Sequence, residues 1–90
     1  MGTQHESHAG IRKRLQRAEG HLRSIIAMIE AERPCVDIAQ QLHAVEKAVC
    51  QAKRTLIRDH VEHCLEHGED AGPGAMAAAL EELKQITKYL

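Results

Sequence analysis

The chain has no tryptophan and no phenylalanine, and its single aromatic residue is Tyr89. A core without rings must be built from Leu, Ile, Val, Ala and Met. Such a core suits helices better than a sheet sandwich, where β-branched and aromatic side chains dominate. The same lack removes any platform on which unpaired bases could stack, which argues against a single-strand nucleic-acid binder. No apolar run is long enough to span a bilayer, and no secretion signal is evident. The expectation is a cytoplasmic protein with no membrane partner. Three cysteines are an odd number, and outside a secretory context they read as reduced thiols, not a disulfide framework. Excess charge of one sign is also missing: 12 basic residues face 13 acidic ones, for a net charge of -1.

What is present is unevenly placed. Arg12, Lys13, Arg14, Arg17 and Arg23 fall within twelve residues. Acidic residues collect later, at Glu62, Glu66, Glu69, Asp70, Glu81 and Glu82. The chain thus has a basic end and an acidic end. A second basic group, Lys53, Arg54 and Arg58, follows an apolar stretch. Repeated cations along a surface are what contacts to the DNA phosphate backbone require, although such a run is also an ordinary solvated face. No helix-turn-helix pattern accompanies them.

Ninety residues make one domain. Residues 1–8 read as a flexible, His-bearing arm and residues 9–90 as an all-α, three-helix domain. The first helix is expected from about Ala9 to Ala31. Its apolar stripe of Ile11, Leu15, Ala18, Leu22, Ile25 and Ile29 steps by fours and threes. Gly20 interrupts it, and a close helix crossing would explain a glycine there. Pro34 suits the first position of a second, long helix running to about Glu66, with Ile38, Leu42, Val45, Val49, Ala52 and Leu56 as its stripe. Gly68, Gly72, Pro73 and Gly74 break the chain. A third helix follows from about Ala75, with Met76, Leu80, Leu83, Thr87 and Leu90 on one face. The second helix is too long for its two short partners to cover. Its bare stripe therefore predicts an oligomer with the long helices antiparallel.

Seven histidines are many for this length, and their placement is informative. His60, His63, Cys64 and His67 stand at i, i+3, i+4 and i+7, on one helical face. Imidazole and thiolate suit zinc, copper, nickel or cobalt, and not magnesium or calcium. The plain alternative is a polar helix end carrying solvated histidines. Cys35, in the first turn of the same helix, is a further candidate ligand; it would otherwise be a small buried hydrophobe. It lies about 37 Å from His60 along a straight helix, so the two share an ion only across an antiparallel pair. His5 and His8 in the arm could add a ligand. Cys50, His21 and His43 read as structural or solvated.

Three segments together resemble the CsoR/RcnR family of metal-sensing repressors: Arg14-Leu-x-Arg17-x-x-Gly20-His21-Leu22, Cys35-Val-Asp-Ile-x-x-Gln41, and His60-x-x-x-Cys64. The resemblance covers nearly the whole chain. It implies three helices assembling as an antiparallel dimer and then a disc-like tetramer. It also implies duplex operator DNA bound by the metal-free protein and released by the inducer. Under it, Cys35, His60 and Cys64 fall on the inducer-site positions, with Cys35 supplied by the opposing subunit. Arg14 matches a DNA-binding arginine, and Glu82 resembles a glutamate that supports the copper site. Gln51 stands where copper sensors often carry an arginine, and Pro34 where they carry a tyrosine.

The metal divides the reading. Two thiolates and an imidazole suit three-coordinate Cu(I). A fourth ligand from the arm would suit square-planar Ni(II), or Co(II). His5, His8, His63 and the run from Pro34 to Leu42, which looks like a nickel-resistance branch, put Ni(II)/Co(II) first, with Cu(I) as the alternative. A formaldehyde or persulfide sensor, a metal chaperone and a structural helical oligomer remain further readings. A Cys-His enzyme is not expected, because no oxyanion donors or substrate loop are evident. The regulated genes would belong to a metal efflux or resistance operon.

Overall fold

In the computed structural model, which describes residues 6–67 and 72–90, the chain forms three α-helices. They are α1 (Glu6–Glu30), α2 (Cys35–His67) and α3 (Pro73–Thr87). α1 starts three residues before the expected Ala9, so His8 belongs to the helix. His5 lies outside the described residues.

The turn from α1 to α2 is closed by the backbone. Glu32 adopts a left-handed φ of 56°. Its amide donates to the Ile29 carbonyl at 3.0 Å, and the Arg33 amide reaches back to Met28 O at 3.0 Å. This paired reach satisfies carbonyls the helix end would leave bare, in the geometry that usually places glycine where Glu32 stands. Pro34 is the cap and not the first helical residue: its carbonyl accepts from the Ile38 amide at 3.2 Å. Glu32→Gly is therefore expected to raise the urea midpoint, by about 1 kcal/mol of stability at fixed protein concentration, because a Cβ is disfavoured at that φ. An unchanged or lowered midpoint would refute the strain. α3 opens at Gly72, whose φ of 90° suits glycine, followed by Pro73 in the first turn.

α1 and α2 pack as an antiparallel hairpin, whereas α3 touches only α2 among the described residues. The buried side chains are Ile11, Ala18 and Ile25 on α1, and Val45, Ala52 and Ile57 on α2. Ile38 packs, partly buried, against Ala18, Ile25 and Val45. These positions mostly repeat every seven residues, as the central row of a helix pair should. The other half of each expected stripe is not buried in the chain. Leu15, Leu22 and Ile29 on α1, and Leu42, Val49 and Leu56 on α2, are exposed. Two helices have only one seam, and α3 packs at the far end of α2, so the second row on each helix finds no cover.

Two further expectations change. A Cβ on Gly20 would meet nothing within 4 Å, so no close crossing in this chain calls for that glycine. On α3 the half-buried residues are Met76, Ala79, Leu83 and Ile86, while Leu80 and Leu90 are exposed. That helix is rotated by about one residue from the expected face.

The result is long and thin, 58 × 25 × 14 Å, with a radius of gyration of 18.0 Å. A compact chain of this length would have about 12 Å. It exposes 6959 Å², against about 5,200 Å² for a folded monomer of its size. The excess is about twice what each partner buries in a standard protein–protein interface, about 800 Å².

Candidate metal centre and basic cleft

The last turns of α2 bring together two of the expected ligands. His60 and Cys64 are one helical turn apart, and Sγ lies 3.6 Å from Nε2. An imidazole nitrogen and a thiolate bound to one ion, at about 2.0 and 2.3 Å, stand about 3.5–3.7 Å apart at tetrahedral or trigonal angles. At a right angle they would stand about 3.1 Å apart. The observed spacing therefore puts both donors within reach of one ion.

α3 adds a carboxylate. Glu82 Oε1 lies 3.3 Å from His60 Nε2. Where Nε2 carries the hydrogen, it donates to this oxygen. The same Nε2 faces Cys64, so Glu82 meets the nitrogen an ion would take and not the N–H on the far side of the ring, where a supporting acceptor would stand. Burial first, and then the Glu82 charge, push the Cys64 thiol above its usual pKa. Sγ therefore keeps its proton at neutral pH until a metal displaces it. Around Cys64, the side chains of Leu65, Met76, Ala79, Leu80 and Leu83 enclose a small apolar pocket of about 90 Å³, which supplies that desolvation.

The other described candidates are not gathered there; His5 and the His67 side chain lie outside the described residues. Among the described residues no three His, Cys, Asp or Glu side chains of one chain converge tightly enough to hold an ion. His63 is half-buried on the same turns of α2. Cys35 is exposed at the opposite end of α2. It begins the row Cys35, Leu42, Val49, Leu56, each seven residues from the last, and His60 follows four residues later. The free thiol and the two-donor pair thus sit at the two ends of one uncovered apolar row. His8 is exposed on the first turns of α1. The Arg14–Gln51 contact sets the hairpin register and puts His8 level with Ile57, one turn short of His60.

The basic residues divide between the two flanks of the hairpin. An open cleft of about 350 Å³ between α1 and α2 is lined by Arg14, Arg17, Ala18, His21, Lys47, Ala48 and Gln51. Arg14 Nη1 donates across the seam to Gln51 Oε1 at 3.3 Å, and His21 Nε2 donates to Gln41 Oε1 at 2.6 Å. Lys13 is adjacent on α1. Arg54 and Arg58 continue the Lys47–Gln51 row along α2. Arg12 and Lys53 fall on the other flank, in the rows of Leu15 and Leu22 and of Val49 and Leu56. Lys47 and His21 in this cleft were not assigned from the sequence. A lone lysine amid apolar residues carries no signal until the hairpin register is known.

Residues 7–89 match the family described as metal-sensitive transcriptional repressor. The chain is 39% identical over 80 residues to the copper-sensing transcriptional repressor CsoR of Bacillus subtilis (strain 168), covering 87% of this chain and 79% of that protein. It is 39% identical over 79 residues to the copper-sensing transcriptional repressor RicR of Mycobacterium tuberculosis (strain ATCC 25618 / H37Rv), covering 87% and 82%. To the copper-sensing repressor CsoR of Mycobacterium ulcerans (strain Agy99) it is 38% identical over 76 residues, covering 84% and 63%. No solved structure matches the chain.

Proposed function

The chain belongs to the CsoR/RcnR family of metal-sensitive transcriptional repressors, and from that premise we propose that it binds operator DNA when metal-free and is released by Cu(I). It is a metal-sensing transcriptional repressor and not an enzyme, as its relatives are. The observation that carries the reading is the split donor set: a His60–Cys64 pair at one end of an uncovered row and Cys35 at the other. A second copy laid antiparallel along that row covers the exposed leucines and brings the partner subunit's Cys35 to this His60 and Cys64. Two such sites form per dimer, and each ion ties two subunits together. Pairs of dimers would make the tetramer.

Cu(I) takes first place over Ni(II) and Co(II), reversing the order that the histidine count suggests. The relatives are named for copper, and two thiolates with one imidazole suit Cu(I). Ni(II)/Co(II) stays as a second reading on one observation: His8, on the first turns of α1, stands level with Ile57, one turn short of His60. No described helix is long and apolar enough to cross a membrane, and action in the cytoplasm on an efflux or resistance operon is part of the proposal. On the DNA side, Arg14, Arg17, Lys13, Arg54 and Arg58 share the cleft flank, which stays open when the apolar flank is covered.

The test is anaerobic titration of the reduced protein on a duplex taken from upstream of its own gene, followed by anisotropy. Cu(I) should release the duplex at one equivalent per chain. Release by Ni(II) or Co(II) alone, with thiolate charge-transfer bands, would transfer the assignment to the second reading. No release by any of the three would remove metal sensing.

A further inference from the structure

We propose that the cleft between α1 and α2 seats a backbone phosphate of duplex DNA, with Lys47, outside both basic groups of the sequence, as one of its principal cations. The proposal rests on the DNA-binding reading above and adds to it where, and with which residues, the backbone is held.

Four side chains able to carry positive charge, Arg14, Arg17, His21 and Lys47, line one concavity of about 350 Å³, and no carboxylate lines it. Three cations outside the cleft are neutralised locally: Arg23 pairs with Glu19, Arg33 with Asp37, and Lys84 with Glu81. Among the described residues, neither Arg14, Arg17 nor Lys47 is in an ion pair. A concave surface collecting uncompensated cations focuses potential and attracts an anion. The cleft is also partly preorganised. The Gln51 carbonyl oxygen holds the Arg14 guanidinium across the seam, and Gln41 holds the His21 ring at 2.6 Å. Little side-chain freedom is then lost when a phosphate oxygen arrives.

The occupant follows from what surrounds the cleft. The Lys47 row continues to Arg54 and Arg58, seven and eleven residues on, which extends the positive face by about 16 Å of helix. A single free phosphate would use one end of that face, whereas a DNA strand presents charges along all of it. The flank is also the one that a second copy on the Leu42–Val49–Leu56 row leaves uncovered.

The experiment is anisotropy of a 30-base-pair mixed-sequence duplex with the full chain across about 50–200 mM salt. Lys47→Ala is expected to lower the slope of log K against log salt by about 0.9, one phosphate contact, and to weaken binding about eightfold near 0.1 M. Lys47→Arg should restore the slope. Lys84→Ala, which removes the same charge from α3, should leave it unchanged. The lysine is exposed, so the variants should fold as the parent does. A Lys47→Ala slope equal to the parent's, or an equal loss in Lys84→Ala, would overturn the proposal while leaving DNA binding intact. A parent chain without salt-dependent duplex binding would overturn the DNA reading and this inference together. Inorganic phosphate, at ionic strength matched with chloride, should displace the duplex weakly. Phosphate-specific shifts at Lys47 without any duplex binding would assign the cleft to a free anion and overturn the proposal.

Discussion

Cys35→Ala is expected to leave operator affinity unchanged and to abolish release of DNA by metal. The substitution removes no packing within the chain, because Cys35 is exposed there, so the hairpin and its basic flank should be untouched. What it removes is the one donor contributed from across the subunit boundary. His60 and Cys64 remain 3.6 Å apart and can still hold an ion weakly. Losing even a group that only supports a ligand costs about 10–100-fold in metal affinity; losing a thiolate ligand should cost at least about 100-fold. The functional loss is larger than the affinity loss. A metal shifts an equilibrium only through its differential affinity for the two states. An ion bound to one subunit alone has little reason to prefer either arrangement of two. The coupling, typically about 1–3 kcal/mol, should therefore fall towards zero even at saturating metal. The measurement is duplex anisotropy for parent and variant under Cu(I), buffered to saturation in both. A variant still released at saturation would place the switch within one subunit and end the intersubunit account.

The sequence and the structure part company at identifiable places. The three helices were legible because Pro34 and the Gly72–Pro73 pair mark their starts, and because fours-and-threes spacing is unambiguous over lengths such as those of α1 and α2. The division of each stripe into a buried and an exposed row was not legible. Ile11, Leu15, Ala18 and Leu22 look alike in a periodicity argument, yet only Ile11 and Ala18 are buried. Which row meets a partner inside the chain depends on where α3 goes, and α3 leaves the hairpin uncovered. Ile57 and Ile86 were missed for the same reason: each lies off the averaged stripe, yet Ile57 is buried and Ile86 half-buried. At the candidate site, one-turn spacing already set His60 beside Cys64, because helical geometry alone brings them to 3.6 Å. The resemblance pointed to Glu82, and the structure sets it beside the His60 ring. Of the wider grouping, His60, His63 and Cys64 do not converge into a three-ligand set, and the His67 side chain lies outside the described residues. A helical face spans several rows, and sharing it is weaker than pointing at one atom. Lys47 and His21 needed the register set by the Arg14–Gln51 and His21–Gln41 contacts, which no local pattern encodes.

Val49→Glu should break the assembly, and with it both functions. In an antiparallel pair that brings Cys35 of one chain to His60 and Cys64 of the other, the midpoint of the shared row falls next to Val49. By twofold symmetry that residue then meets its own copy. Val49 is 44% exposed in the single chain, so a glutamate there is tolerated by the hairpin and the monomer should fold. At the axis the substitution sets two carboxylates against each other in an apolar seam. Two like charges about 4 Å apart repel by about 4 kcal/mol at an effective dielectric near 20. Protonating one of them relieves part of that cost, and the relief grows as pH falls. The dimer constant should drop on the order of 1,000-fold near neutral pH and recover partly under mildly acidic conditions. Two consequences follow from the same step. The third ligand is lost, so Cu(I) affinity should fall to that of Cys35→Ala. The basic clefts are no longer presented in a fixed array, so duplex affinity should fall by at least about 100-fold, unlike in Cys35→Ala. Light scattering with size-exclusion chromatography reads the first effect, and anisotropy the second. A Val49→Glu protein that remains oligomeric would mean that the Leu42–Val49–Leu56 row is not the subunit interface. Cys35 would then have no route to His60 and Cys64, and the metal site would have to be completed from residues outside those described.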